Sequence, residues 1–293
     1  MDCTVMGPQL PFDLERTIFE LAASSFLGSI PILLLVAWRV NKWVEPILYR
    51  LLIVDSSTSR LSDYPIFSHE VISRKIDNLE FLRASVRHLF IEGRFIPLEI
   101  EHIASACSRV TTLAYVPSKA FPDLLRDKQR LQRLTINVTA FLGCFPPEST
   151  RDPMLHTLTH LELLDTYWGQ DEEPPDLSTH LALIPNLTHL ALNGTQYSVS
   201  LNNMLRADSR LRCIVLFADE GDSAHPLSDD DRVVYVEQHT NYRLDWIRGI
   251  DECKDYWALA DTFIAARRRG QVDRSQLRIT DVDLGIIDNG QWV

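Results

Sequence analysis

Two histidines and one glutamate occur at spacings that could bind a metal ion. His160 and His189 hold the same position in two nearly identical hexapeptides, Leu-Thr-His-Leu-Glu-Leu and Leu-Thr-His-Leu-Ala-Leu, and Glu162 follows the first histidine by two residues. If the hexapeptides form neighbouring strands, the histidines lie about 5 Å apart and Glu162 points the same way. Two imidazoles and a carboxylate could bind zinc. Strands of stacked repeats also display polar side chains without any metal, and we predict no metal site and no cofactor.

No short motif typical of an enzyme occurs in the chain. The sequence lacks G-x-S-x-G, H-E-x-x-H, and the glycine-rich loops that bind phosphates. We therefore predict that the protein is not an enzyme and name no catalytic residue. The alternative, an unrecognised α/β enzyme, would require a deep polar pocket containing ionisable groups with shifted pKa values.

The two hexapeptides belong to a longer series with the pattern L-x-x-L-x-L, in which alternate residues of a short strand point into a core. Looser copies occur on either side of them. The second apolar position of each copy recurs every 21 to 29 residues, at Leu89, Leu113, Leu134, Leu161, Leu190 and Ile214. This interval is typical of leucine-rich repeats, in which each unit holds one strand and one return segment.

One such unit cannot bury its own apolar side, so six in series predict a stack in which each covers its neighbour. We predict an α/β fold in which residues 55–240 form an irregular leucine-rich-repeat solenoid with a parallel sheet. An ordinary α/β domain with similar buried strands is the alternative. A solenoid offers a long surface and no built-in reaction centre, which favours a binding function.

One face of the predicted sheet carries polar and aromatic side chains. Such a mixture, with phenylalanines exposed, is typical of a protein-binding face. The predicted partner-binding residues are His88, Phe90, Arg133, His160, Glu162, His189 and Phe217. Phe90 and Phe217 could equally lie beneath a loop or a terminal cap.

Composition excludes several classes of partner. The chain carries 29 basic and 40 acidic residues, a net charge of -11, so as a whole it repels nucleic acid. Its five cysteines include no C-x-x-C pair, which indicates reduced thiols and an intracellular, cytoplasmic or nuclear location. No basic residue precedes Arg16, unlike a secretory signal. The apolar run at 26–38 is shorter than the about 20 residues that a membrane span needs, so no membrane partner is predicted.

The first fifty residues predict helices. Leu10-Pro11 opens a segment with Leu14 and Ile18 at helical spacing, and a later helical pattern is expected to end near Pro46.

Leu10-Pro11 and the segment LVAWRVNKWVEPILYR at residues 35–50 resemble the F-box of many fungal proteins in which an F-box-like segment precedes irregular leucine-rich repeats. The resemblance covers residues 8–54, and the repeats extend it to most of the chain. It implies three helices that dock on the adaptor subunit of SCF-type ubiquitin ligases through exposed apolar side chains. The residues that match are Leu10, Pro11, Leu14, Ile18, Leu34, Val36 and Trp43. Alternatively, these residues form the small core of a helical cap on the first repeat.

The C-terminal region predicts one helix, at residues 241–270, followed by an acidic tail at 271–293. Apolar residues recur from Trp246 to Ile264 in steps of four and three, and the run Arg267 to Gly270 is typical of a helix end. Gly249 within this helix costs about 1 kcal/mol relative to alanine. We expect the helix to cap the open end of the stack.

Taken together, these patterns predict a protein-binding receptor similar to the F-box substrate adaptors of SCF-type ubiquitin ligases, which recognises a protein substrate through the repeat surface. A leucine-rich-repeat scaffold with a degenerate F-box and no ligase role is the alternative. The two differ in whether Leu10, Leu14 and Trp43 are exposed or packed under the first repeat.

Overall fold

The computed structural model describes residues 10–55, 66–67, 79–126, 128–146, 152–164, 176–193, 199–217, 227, 229–237, 242–251 and 254–279. Within these ranges the chain forms nine β-strands and eleven α-helices, and the predicted α/β class is confirmed. Residues 8–9, Cys253 and residues 280–293 of the predicted acidic tail lie outside the described residues.

The nine strands form one parallel sheet. Their order is β2-β1-β3-β4-β5-β6-β7-β8-β9, so each strand from β3 onward lies beside the next one in the chain. The strands are β1 (Leu51–Asp55), β2 (Ile66–Phe67), β3 (His88–Glu92), β4 (Thr112–Tyr115), β5 (Arg133–Asn137), β6 (His160–Leu164), β7 (His189–Asn193), β8 (Cys213–Phe217) and β9 (Val233–Val236).

Helices precede the sheet, connect its strands and follow it. The helices are α1 (Phe12–Ser25), α2 (Ile30–Leu33), α3 (Trp38–Leu48), α4 (Leu79–Ser85), α5 (Pro97–Ala106), α6 (Pro122–Arg126), α7 (Val138–Cys144), α8 (Ser178–Leu181), α9 (Val199–Ala207), α10 (Tyr242–Asp251) and α11 (Tyr256–Arg268). Short 3-10 turns lie at Leu27–Ser29 and Pro153–His156.

The register of the sheet confirms the alignment of the six sequence copies. Leu161 pairs with Leu190 in parallel, and Leu134 pairs with Leu161. The same row continues to Leu113 and Leu89 on one side and to Ile214 on the other. We call the side of the sheet that these residues occupy the leucine face.

The leucine face is buried against the connecting helices. Its leucines share one hydrophobic core with residues of α5, α7 and α9, such as Ile103, Phe141 and Leu205. Alternation along each strand sends the remaining residues to the other side of the sheet, which we call the opposite face.

The first three helices have a small core of their own. Ala23, Ile30, Val40 and Val44 are fully buried there. Helix α3 continues to Leu48, past Pro46 where the sequence predicted its end. The last turn keeps its hydrogen bonding, because the Tyr49 N–H still donates to the Glu45 carbonyl at 3.3 Å.

The C-terminal region differs from the prediction in two ways. It forms two helices, α10 and α11, instead of one, because the Asp255 carboxylate caps a new helix by accepting from the Ala258 N–H at 2.9 Å. Both helices lie on the opposite face, not at the open end of the stack. Helix α10 packs on β1, β3 and β4, and α11 packs on β7, β8 and β9.

The residues after α11 cover the last strand. The Tyr235 N–H donates to the Leu277 carbonyl at 2.8 Å, and the Ile279 N–H donates to the Tyr235 carbonyl at 3.1 Å. The free edge of β9 is therefore hydrogen-bonded over this short stretch.

None of the described helices is long and apolar enough to cross a membrane.

Candidate functional site

Helix α1 presents apolar side chains to solvent. Leu14, Ile18 and Leu21 follow one another at helical spacing and are 53%, 52% and 66% exposed, and Leu10 before them is 57% exposed. We call these four residues the α1 apolar face. Further exposed apolar residues of the first three helices are Phe26, Ile32, Leu35, Val36 and Trp38.

The structure separates the predicted adaptor-binding residues into two groups. Leu10, Pro11, Leu14, Ile18 and Val36 are exposed. Leu34 and Trp43 are instead partly buried within the small core of α1–α3. The Trp43 ring meets the Phe12 ring edge to face at 5.0 Å between centroids, so its indole helps to position α1 on α3.

An ion pair also holds α1 against α3. The Arg39 guanidinium donates from Nη2 to Glu15 Oε1 at 2.7 Å and from Nε to both carboxylate oxygens at 3.2 Å. The ion pair joins charged side chains of α1 and α3, and it leaves the α1 apolar face exposed.

The opposite face of the sheet does not have the exposure that the sequence predicted. Phe90 is fully buried and meets Trp246 of α10 edge to face at 5.2 Å, and Phe217 is 8% exposed against Tyr256 of α11. The expectation that both phenylalanines are exposed is therefore wrong. The alternative, in which another part of the chain covers them, is correct, and the covering elements are α10 and α11. The physical reason is that α10 and α11 each bring an apolar side that needs burial.

His160 and His189 are neighbours, as their register predicted. Their rings stack in parallel at 4.0 Å between centroids, and the Trp257 ring meets both edge on. Burial, and then the nearby His189 and Arg133, lower the pKa of His160 to about 3, so this imidazole stays neutral. His189 Nε2 lies 3.2 Å from Asp261 Oδ1 of α11.

The described ranges contain no group of three or more His, Cys, Asp or Glu side chains arranged to hold a metal ion. Glu162 faces the same way as the histidines, but it makes a different contact: it accepts from the Thr135 hydroxyl at 2.8 Å. Only 8% of Glu162 is exposed, and burial raises the pKa of this carboxyl to about 7.

A cavity of about 270 Å³ lies between the opposite face and the C-terminal helices. Strands β5 and β6 contribute Arg133, Thr135, His160 and Glu162 to its wall. The aromatic part of its wall consists of Phe90, Phe217, Tyr242, Trp246, Tyr256 and Trp257.

Two polar groups at the start of α11, the cap residue Asp255 and Tyr256, complete this cavity. Asp255 accepts from Arg133 Nη1 at 2.8 Å, which ties the start of α11 to β5. The Tyr256 hydroxyl is buried against the Glu162 carboxyl. Burial, and then the charge of Glu162 and the hydrogen bond with it, raise the pKa of this hydroxyl.

The sequence did not predict the network that fixes the start of α10. Arg243 Nη2 donates to Asp55 Oδ2 at 2.7 Å and also contacts Glu92, which accepts from the Tyr242 hydroxyl at 2.5 Å. Asp55 and Arg243 are 188 residues apart, so no local pattern could pair them.

The cavity meets part of the requirement for the enzyme alternative, since it holds ionisable groups with shifted pKa values. Its described lining residues include no serine, cysteine or lysine, but they do include threonine, histidine and carboxylate side chains.

Comparison with known proteins adds no family to these observations. No protein-family model matches the chain, and no curated protein matches it either.

Proposed function

We propose that the protein is an F-box-like leucine-rich-repeat receptor of an SCF-type ubiquitin ligase. In this proposal α1–α3 dock on the adaptor subunit, and the repeat surface binds the protein that is to be modified. The role is binding, not catalysis, and it places the protein in the cytoplasm or nucleus.

The observation that carries the proposal is the exposure of the α1 apolar face. Burying a large aliphatic side chain is worth about 1.5–3 kcal/mol, yet Leu14, Ile18 and Leu21 remain more than half exposed. The small core of α1–α3 is already complete without them. A contiguous apolar helix face of this kind is typical of a protein-binding surface.

The test is binding of the purified adaptor to the full chain, measured by co-precipitation and by calorimetry. We expect the variant carrying Leu14→Asp and Ile18→Asp to fold normally and to lose adaptor binding, because two charges would enter an apolar interface. The matched control carries Leu98→Asp and Val199→Asp, which are 54% and 76% exposed on α5 and α9. It should bind like the unmodified chain.

A well-folded full chain that does not bind the adaptor would remove the ligase role. The scaffold with a degenerate F-box would then be the better interpretation, since it needs the same three helices only as a cap on the first repeat.

For the protein substrate, we propose the rim of the sheet at the amino ends of the strands. The helices α10 and α11 leave His88, Arg133 and His160 partly exposed there. Arginines cluster beside them: the Arg87 N–H donates to the Arg50 carbonyl at 2.9 Å, so these residues are neighbours across β1 and β3.

One part of this rim carries a cluster of positive charges around Arg87, although the chain as a whole carries -11. Burial lowers the pKa of Arg87, and so do the neighbouring charges of Arg109, Arg130 and Arg50. Burial, Arg50, Arg133 and Arg87 likewise lower the pKa of His88 to about 4. A rim of this charge fits an acidic protein segment.

A fluorescent octaglutamate peptide tests the rim. We expect it to bind the full chain at low salt and to bind the variant with Arg109→Glu and Arg130→Glu at least tenfold more weakly. The control with Arg94→Glu and Lys119→Glu changes the net charge equally at exposed positions that follow the carboxyl ends of β3 and β4. Equal binding by the two variants would contradict the proposed location.

A further inference from the structure

The cavity between the opposite face and the C-terminal helices has the composition of a ligand site. Its described lining residues include three carboxylates, Glu162, Asp245 and Asp255, and one permanent cation, Arg133. Because Arg133 is already paired with Asp255 at 2.8 Å, it does not neutralise Glu162. Among the described lining residues, no other permanent cation is available to Glu162.

Glu162 is held in a place where an ionised carboxylate is poorly solvated. Glu162 is 8% exposed, and its carboxyl contacts two neutral hydroxyls, that of Thr135 at 2.8 Å and that of Tyr256. A buried carboxylate is stabilised most by a cation that donates a hydrogen bond. An anionic ligand would be repelled by the same group.

The Tyr256 side chain adds a second polar group to the same wall. It is more than nine-tenths buried, it lines the cavity, and its hydroxyl lies against the Glu162 carboxyl. This hydroxyl is neutral like that of Thr135, so neither of the two supplies the positive charge that would favour an ionised Glu162.

The aromatic part of the wall favours a ligand that is flat and positively charged. The rings of Phe90, Trp246 and Trp257 lie along it, and aromatic faces attract cations as well as other rings. An apolar cavity of about 150 Å³ holds benzene. The volume of about 270 Å³ therefore suits one aromatic ring with a short side chain.

We propose that this cavity binds a small aromatic amine, whose ammonium group donates to the Glu162 carboxylate while its ring packs among the indole and phenyl side chains. The proposal is independent of adaptor docking, because the cavity lies beneath α10 and α11 and not on α1–α3.

Calorimetry on the full chain tests this site with phenethylamine, tyramine and tryptamine as probes. We expect saturable binding of at least one of them at a single site. The neutral analogue 2-phenylethanol and the anion phenylacetate, which keep the ring and lose the cation, should bind at least tenfold more weakly.

Variants assign the binding to Glu162. Glu162→Gln keeps the shape and removes the charge, and we expect it to weaken amine binding at least tenfold. Glu101→Gln makes the same change at an exposed position on α5 and should have no effect. If Glu162→Gln fails to fold by circular dichroism, Leu164→Phe decides instead, because it reduces the cavity volume and should also weaken binding at least tenfold.

Three results would each overturn the proposal: no saturable binding of any of the three amines, equal affinity for an amine and for 2-phenylethanol, or equal affinity of the folded Glu162→Gln and Glu101→Gln variants.

Discussion

Glu162 and His160 lie two residues apart on β6, and burial changes their pKa values in opposite directions. The pKa of Glu162 rises from 4.5 to about 7, and the pKa of His160 falls from 6.5 to about 3. In both cases the folded protein favours the neutral form. The two groups therefore contribute opposite slopes to the dependence of stability on pH.

The raised pKa of Glu162 makes the free energy of unfolding depend on pH, and it predicts that Glu162→Gln stabilises the protein above neutral pH. Between pH 4.5 and 7 the folded state keeps a proton that the unfolded state releases, so wild-type stability falls as pH rises through this range. One pKa unit corresponds to about 1.4 kcal/mol, so a rise from 4.5 to about 7 means that the variant should gain about 3 kcal/mol by pH 8. Urea unfolding at pH 5 and pH 8 measures the difference.

The control for this prediction is Glu101→Gln, which should leave the difference between the two pH values unchanged. A Glu162→Gln variant that is no more stable than wild type at pH 8 would show that the carboxylate is well solvated in the folded protein.

The lowered pKa of His160 predicts that the free energy of unfolding falls in acid. Between pH 6.5 and 3 the unfolded state takes up a proton that the folded state does not, so stability falls as pH falls. His160→Phe keeps a ring against His189 and Trp257 but cannot titrate. Its unfolding free energy should therefore decrease less between pH 6.5 and 4 than that of wild type.

Exposed His156 provides the matched variant, since His156→Phe removes a histidine without touching the stack. Parallel pH profiles for wild type and His160→Phe would contradict the prediction. Because the Glu162 and His160 windows overlap between pH 4.5 and 6.5, each variant should also reveal the slope that the other group normally offsets.

Helices α10 and α11 show at the scale of elements what local patterns can and cannot predict. The apolar stripe from Trp246 to Ile264 correctly predicted helix and an apolar side. It did not predict which surface that side covers, because an apolar stripe fits the end of a stack or its face equally well. The break between the helices had a local signal, Asp255, whose side chain is a preferred helix cap.

Gly249 allows α10 to approach the start of α11 closely. A Cβ at this position would lie 2.5 Å from Asp255 Oδ2 and 2.6 Å from Asp255 Cβ. Asp255 cannot easily move, since it is bonded both to Arg133 and to the Ala258 N–H. The low helix propensity of glycine at position 249 is therefore offset by the close approach of α10 to Asp255 that it allows.

We accordingly expect Gly249→Ala to destabilise the protein by about 1–3 kcal/mol, despite the better helix propensity of alanine. Urea unfolding measures the change. Gly28→Ala is the control, because an added Cβ there meets no atom within 4 Å. A Gly249→Ala variant as stable as Gly28→Ala would mean that the two helices can separate at little cost.

At the scale of the whole molecule, the parallel sheet could be predicted from the sequence. The position of α10 and α11 on its opposite face could not. Each copy of L-x-x-L-x-L carries its own alternation, so the strands and their parallel pairing follow from local residues. The contacts that seat α10 join residues such as Asp55 and Arg243, which no spacing relates. For this reason the opposite face was expected to be open, and it is largely covered.

The covering predicts the effect of removing residues 242–293. Phe90, Val215 and Val234 would become exposed on one side of the sheet, and exposed apolar patches of that size promote association. We expect the shortened chain to bind the dye ANS and to aggregate during size-exclusion chromatography. A monomeric shortened chain without ANS binding would contradict the prediction.

The segment at 277–279 that bonds to Tyr235 has one more consequence. A stack of parallel strands could in principle grow without limit, because its last strand offers free amide and carbonyl groups to the first strand of another molecule. Here the chain occupies part of that position itself. Head-to-tail pairing through β9 would therefore first have to displace residues 277–279 from Tyr235.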